Sequence, residues 1–427
     1  MIILSFMHTY AKICDIKNEV SMKKHFIFVS LLSALLLSSC NLQGSKSSIV
    51  GESAIPSENS ISQESGEPSV SQPISSIDMD KDNQPENDIH SELQWQYLCD
   101  EWGSIKTYVP KTNASGKNPG NLSSPRGLIM SFDEVEDGDT YYIEISKNAN
   151  FENSKVYTST EKSYAYKIAE LGTTYYYRAA NSEEGLATAT AHTKAAAMVA
   201  PRNMEIGGVV NFRDAGGWKS SLVENGYVKQ GLYYRCGEFN HTNAANSKNI
   251  TAEGKEIVKE LGIKVDIDMR DSYIVSNLKG KSPASSADWE IEVYGASIPS
   301  GTESTRFSGF ADVYKGIFEK IANADEAPIA LHCANGADRT GIVSFFLLAL
   351  IGVSEEDCGR DYSFTRFAGE RDVDHTVEFD GWMSAAKALE GETLADKMFN
   401  HLLSKNIAAD TLETIREKFV PGYHRAA

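Results

Sequence analysis

The chain predicts a multidomain protein: a small all-β sandwich, then an α/β domain with a mainly parallel central sheet flanked by helices. Three observations lead there. Between residues 93 and 198, apolar and polar side chains alternate in short runs broken by Asn, Gly and Ser, the pattern of half-buried strands. From 199 to 427 helical and strand periods take turns, the order that lays helices over a parallel sheet. Before residue 93 neither period holds. At 427 residues, with 41% apolar and 23% charged content, the chain has material for two or three packed cores. Its formal charge of −18 would repel nucleic acid, so no such partner is expected.

Residues 1–40 do not read as fold. From Met22 the text is MKKHFIFVSLLSALLLSSC: two lysines, a short apolar run, small residues and a cysteine. That is the layout of a secretory signal, too short to span a bilayer comfortably. Residues 1–21 lack such order, so Met22 reads as the start. LSSC, ending at Cys40, resembles the lipobox of bacterial lipoproteins. The resemblance implies that Cys40 is acylated and becomes the new N-terminus. The chain would then be exported and held by lipid at the extracytoplasmic face of a bacterial cell membrane, each buried methylene contributing about 0.8 kcal/mol. A plain secretory signal with Cys40 near the cut is the alternative. Residues 41–92 carry serine at about every fourth position and no Phe, Trp or Tyr. Such a segment cannot offset its ordering entropy and is expected to be a disordered tether with a reach on the order of 40 Å.

In the strand region, YYIEISKNANFENSKVYTSTEKSYAYKIAELGTTYYYRAAN contains several turn-separated runs. Tyr175 and Tyr177 should face one side of a strand and Tyr176 the other. The stretch resembles bacterial fibronectin type III-like modules, where a Thr-Thr-Tyr-Tyr run opens a late strand. Residues 93–198 are assigned to this module, although the part with Trp95 and Trp102 matches it less well. A spacer is the expected role and ligand binding the alternative.

In the last half, Thr251 should cap a helix with Ile257, Val258 and Leu261 on one face, ended by Gly262. A strand follows with Val265, Ile267 and Met269 alternating against acidic residues, and Trp289, Ile291 and Val293 repeat the period. Phe310, Val313, Tyr314, Ile317 and Ile321 recur at helical spacing. APIALHC is a short buried strand, and TGIVSFFLLALIG is a helix apolar nearly all round, hence central. VSEEDCGRDYSF opens a helix with Ser354 as cap and Asp357 at the third position. TLETIREKFV is a terminal amphipathic helix.

Between the buried strand and the central helix lies HCANGADRTG, residues 332–341. A loop at the carboxyl end of a strand and the amino end of a helix presents unpartnered N–H groups and the positive end of the helix dipole, a pocket for a tetrahedral dianion. Gly336 and Gly341 let the backbone turn and approach a ligand. The amides of Ala334, Asn335, Gly336 and Ala337 would cradle the oxygens. Cys333 on the loop floor should be held as a thiolate, a nucleophile toward phosphorus. Arg339 would clamp two phosphate oxygens with its planar fork. His332 would fix the loop from behind, and Thr340 would donate a hydrogen bond to the sulfur. No CxxC pair or other ligand spacing suggests a metal, and no cofactor is needed.

HCANGADRTG resembles the His-Cys, five residues, Arg-Thr-Gly signature of cysteine-dependent tyrosine and dual-specificity phosphatases. GGVVNFRDAGGW (207–218) resembles the Asn-Phe-Arg-Asp-x-Gly-Gly opening of their bacterial branch. GLYYRCGEF (231–239) and LGIKVDIDMRD (261–271) fall where that branch has further runs. The resemblance implies metal-free hydrolysis of a phosphorylated protein or small phosphoester through a phosphocysteine, most readily protein phosphotyrosine. It makes Asp338 the general acid, with Asp268 and Asp271 as alternatives, and Asp214 a brace of the loop or of the substrate edge. Where many members have Lys, this chain has Ala337, which argues against highly phosphorylated substrates. Cys236 stands in a usual serine position, as a small buried residue or else an oxidation partner of Cys333. An exported phytase-like or phosphoinositide phosphatase is the alternative function, and a non-catalytic adhesion or scaffold lipoprotein a second.

Overall fold

The computed structural model describes residues 79–109, 121–241, 249–300, 302, 305–369 and 375–425. The expected secretory leader, Cys40 and residues 41–78 of the serine-rich segment lie outside the described residues; residues 79–92, expected as part of the tether, are described, and Asp88, Ile89 and His90 among them are buried. Among those residues no helix is long and apolar enough to cross a membrane.

Six strands occupy residues 128–195. β1 (Leu128–Ser131) pairs antiparallel with β4 (Ser163–Tyr166). β2 (Tyr141–Ser146), β3 (Lys155–Ser159), β5 (Thr174–Ala180) and β6 (His192–Ala195) form a second antiparallel sheet in the order β3-β2-β5-β6. On β5, Tyr175 and Tyr177 are buried while Tyr176 is half-buried, as the period-two pattern requires. Residues 93–108 depart from expectation: they hold helices α1 (Glu92–Leu98) and α2 (Ile105–Tyr108), not strands. The cause is local. Ser91 and Gln94 form a capping box, and Trp95 and Leu98, three residues apart, turn to one apolar side where they pack with Phe364 and Phe367.

Three short strands, β7 (Arg213–Asp214) and the hairpin of β8 (Lys219–Ser220) with β9 (Gly226–Tyr227), lead into the second half. There, β10 (Tyr233–Cys236), β11 (Val265–Asp268), β12 (Glu292–Gly295) and β13 (Ile329–His332) join β7 in a five-stranded sheet of order β12-β11-β13-β10-β7. All neighbours are parallel except β7, which runs antiparallel at the edge. The mainly parallel sheet is therefore as expected. β11 is buried on both faces, so Asp266 and Asp268 point into the protein and not to water. Trp289 precedes β12 and donates its indole N–H to the Ile263 carbonyl at 2.7 Å.

Helices α3 (Ala252–Glu260), α4 (Ser272–Ser276), α5 (Ala311–Ala322), α6 (Asp338–Leu350), α7 (Glu355–Phe364), α8 (His375–Lys387), α9 (Leu394–Ser404) and α10 (Ala409–Phe419) complete the domain. Thr251 caps α3, and Gly262, at φ +71°, turns the chain out of it. Ser354 caps α7 through the amide of Asp357. All thirteen residues of α6 are buried, which makes it the central helix.

The strand region is not a detached spacer. Leu128, Met130, Ile143 and Tyr175 share one core with Met204, Phe212, Tyr234 and Val258. Polar ties cross the same boundary: the Tyr157 hydroxyl donates to Glu260 at 2.7 Å, and Arg202 donates to the carbonyls of Ile168 and Ala169 at 2.7 and 3.0 Å.

Candidate active site

The site lies where open α/β sheets place theirs, beyond the carboxyl ends of the strands. β13 ends at His332, between Cys236 of β10 and Asp268 of β11 in register. The next residue is Cys333, and after a short loop α6 begins at Asp338. Cys333, Ala334, Asn335, Ala337, Asp338 and Arg339 border one small cavity, together with Ser300 and Arg306. Gly336, Thr340 and Gly341 do not border it.

The sulfur sits in opposed fields. Burial works against its anion, and so does the nearby Asp338 carboxylate. The Arg339 charge and the Thr340 hydroxyl and amide outweigh them, so the Cys333 pKa is lowered from its ordinary 9.0. Arg339 is held at the rim by two donations from Nη1, to the Met269 carbonyl at 3.2 Å and the Ile298 carbonyl at 3.1 Å. Behind the cysteine, His332 Nδ1 lies 3.1 Å from the Cys333 carbonyl and Nε2 lies 2.9 Å from Asp266. Burial alone would lower the His332 pKa, but Asp266 and Asp268 raise it to about 9, so the ring is an imidazolium near neutrality.

The loop's shape is imposed from outside. Gly336 has φ +64°, and a Cβ there would stand 2.2 Å from the Cys236 carbonyl oxygen. Only glycine fits. Asn211 donates its side-chain amide to the carbonyls of Asn335 and Gly336 at 3.2 and 2.9 Å. Arg235 donates to the Gly336 carbonyl at 2.9 Å, and also pairs with Asp361. Arg213 meets the other oxygen of Asp361 at 2.9 Å and donates to the Thr365 hydroxyl at 3.1 Å. Two guanidiniums thus share one buried carboxylate, whose pKa falls below the usual range because their charges overcome burial.

Some expected site residues lie elsewhere. Asp214 does not border the cavity. It is fully buried, takes Arg202 at 2.9 Å, and accepts the amides of Gly216 and Gly231 at 2.8 and 2.6 Å. The reason is strand geometry: successive side chains point to opposite faces, so Arg213 turns toward the loop and Asp214 away. Asp268 is engaged by Arg270 through both oxygens at 3.0 Å, with its pKa lowered despite burial. Asp271 lies 3.6 Å from Arg339 Nη1, beside the site but outside the cavity. Of the three carboxylates, Asp338 alone borders the space above Cys333. Cys236 is buried and its thiol pKa is pushed well up by burial, then by Asp266 and Cys333, which suits a small packed residue. Sequence reasoning missed Ser300, Arg306 and Asp361. The motif runs surrounding Asn211 and Arg235 did flag those two, without revealing their task.

Residues 204–426, more than half of the chain, match the sequence model of the tyrosine phosphatase family. The chain belongs to that family. A tyrosine-protein phosphatase of Nostoc commune is 26% identical over 140 residues, 28% of this chain and 46% of that protein, so the match spans about half the length of that curated relative. Among solved structures, P. aeruginosa TpbA matches with 13% identity and a TM-score of 0.28, over 44% of this chain and 96% of that one. The core catalytic domain of the PP-IP phosphatase SIW14 from S. cerevisiae matches with 17% identity and a TM-score of 0.23, over 38% of this chain and 91% of that one.

Proposed function

We propose that the chain hydrolyses phosphate monoesters, protein phosphotyrosine foremost, through a phosphocysteine. One observation carries this reading: Cys333, with its pKa lowered, borders the same cavity as Arg339 and Asp338 at the amino end of a buried helix. The Cys333 thiolate attacks phosphorus, the ester P–O bond breaks, and Asp338 passes its proton to the departing oxygen. Water then attacks the phosphocysteine, the P–S bond breaks, and Asp338 recovers a proton from that water. Inorganic phosphate leaves and the thiolate is restored. Arg339 and the loop amides hold the equatorial oxygens through both steps. The cavity, about 30 Å³, compares with the 10–15 Å³ that admits one water, so it takes a phosphoryl head and leaves the alcohol outside.

Phosphate release from phosphotyrosine and phosphoserine peptides, phosphoinositides and inositol phosphates tests this, in wild type and Cys333→Ser. Phosphotyrosine should be preferred and the variant inactive. Equal release by both proteins would remove the mechanism, preference for inositol phosphates would favour the phytase-like alternative, and no release at all would leave a scaffold.

We also propose that the enzyme is exported and anchored through acyl-Cys40, with the strands of 128–195 as a fibronectin type III-like module. Labelled palmitate should mark wild type and not Cys40→Ala; label on both, or on neither, would refute the anchor.

A further inference from the structure

Among the loop residues that border the cavity Arg339 is the single cation, since position 337 is alanine and His332 stands behind the loop, paired with Asp266. A thiolate and a dianionic phosphoryl group bring three negative charges together there, and Asp338 stands beside them. One guanidinium and the roughly half-unit charge of a helix end do not balance that. A second guanidinium does reach the cavity. Arg306 borders it with Cys333, Asp338 and Arg339, although only 2% of its surface is exposed.

Arg306 comes from a segment unconnected with the loop, and that segment is firmly held. The Tyr314 hydroxyl donates to the Arg306 carbonyl at 2.6 Å, His401 Nε2 lies 3.0 Å from the Phe307 carbonyl, and the Lys405 ammonium donates to the Ser308 carbonyl. The side chain is steered as well. Glu378 Oε1 lies 3.2 Å from Arg306 Nη1, while Glu378 Oε2 accepts the Tyr362 hydroxyl at 2.9 Å. Tyr362 in turn presses against Gly341, where a Cβ would stand 2.4 Å from its ring. A chain of contacts thus links the first turn of α6 to the orientation of Arg306. Burying a guanidinium costs several kcal/mol after relaxation, and Glu378 meets this one at Nη1 while the same arginine side chain borders the cavity.

We propose that Arg306 is a second phosphate-binding guanidinium, opposite Arg339, positioned by Glu378 and Tyr362, and that it supplies the cation that Ala337 does not. This rests on the phosphomonoester reading of the site. It assigns Arg306 to substrate binding and Glu378 to positioning, and it makes the pocket selective for dianionic phosphoryl groups over singly charged phosphodiesters.

The test uses inorganic phosphate as probe, titrated calorimetrically into full-length Cys333→Ser protein, so that binding is read without turnover. Adding Arg306→Gln should weaken phosphate binding about 10- to 100-fold, the range of one lost charge-assisted hydrogen-bond pair. Adding Glu378→Gln should weaken it less. In the active enzyme, Arg306→Gln should raise KM for an aryl phosphate more than it lowers kcat. Because Arg306→Gln can fail to fold, Arg306→Lys serves as the second variant: it keeps the buried charge but not the fork, and should lose several-fold in phosphate affinity at unchanged melting temperature. Phosphate affinity within twofold of the parent, in whichever of these variants folds, would overturn the proposal and leave Arg306 a packing residue. A wild type that binds phosphate but never turns over an ester would sink the enzymatic reading alone.

Discussion

Asn211 donates its side-chain amide to the Gly336 carbonyl at 2.9 Å, joining two motifs that lie 125 residues apart. The contact explains why the earlier motif accompanies the later one. Carbonyls of a loop whose amides point at a ligand must face backwards, and backwards is the protein interior, where each needs a donor. Removing that donor takes one bond from the Asn335 carbonyl and leaves the Gly336 carbonyl to Arg235 alone, a loss of about 1–3 kcal/mol for the two bonds together. Asn211→Ala is therefore expected to lower kcat/KM about 10- to 100-fold and the melting temperature by several degrees. Steady-state kinetics beside a thermal scan would check this, and unchanged kinetics would mean that the loop holds its own shape.

Asp361 carries a heavier electrostatic duty. Arg213 and Arg235 are both almost wholly buried, and they share its two oxygens. Asp361→Ala strands both charges, which costs about 3–5 kcal/mol when one partner of a buried pair is removed. Guanidinium chloride denaturation should show a lower midpoint with the slope conserved. A shift under 1 kcal/mol would show that water or Thr365 takes over.

The thiol should titrate low. Arg339 and Thr340 favour its anion, so the Cys333 pKa lies below 9.0 in the folded chain. As pH falls, the thiolate therefore persists to a lower pH than that of an ordinary cysteine. Iodoacetamide alkylation should stay fast at neutrality, with its acid limb displaced downward. Arg339→Ala should move that limb up, since the largest favourable charge is gone. A profile that is the same in both proteins would show that the guanidinium does not set the ionisation.

Asp338 is the carboxylate at the cavity, so its loss should depend on the alcohol released. With p-nitrophenyl phosphate, whose leaving group needs little protonation, Asp338→Asn should cost about tenfold or less. With phosphotyrosine, whose phenol is more basic, the cost should reach about 10²–10⁴-fold. Equal losses on both substrates would move the acid elsewhere, Asp271 being the nearest choice.

What was legible in the sequence was whatever is local in the chain. Cys333, Gly336, Asp338 and Arg339 fall within one loop, so their spacing alone conveys a strand, an anion cradle and a helix start. The caps at Thr251 and Ser354 were readable for the same reason. Asp361 was not, since in its own helix it looks like one more polar position; its meaning comes from two arginines on separate strands. Arg306 belongs to the site only because α5 and α9 fix the backbone beside it. Asp214 misled because its motif neighbour Arg213 does face the loop, and a strand sends consecutive side chains opposite ways. The helices of 92–108 were hidden by aromatic content that suits strands equally well, until Phe364 and Phe367 give that face a partner.

The apolar seam formed by Tyr166, Tyr175, Phe212 and Tyr234 bears on how this chain can be taken apart. The family likeness starts at residue 204, yet no physical edge exists there. An excision at that point would uncover one side of the seam and strip Arg202 from Asp214, exposing a sticky face on each fragment. Catalytic half and strand-rich half should therefore melt in a single transition, and any pull on the strand-rich half would reach the reaction centre through shared packing instead of a slack hinge.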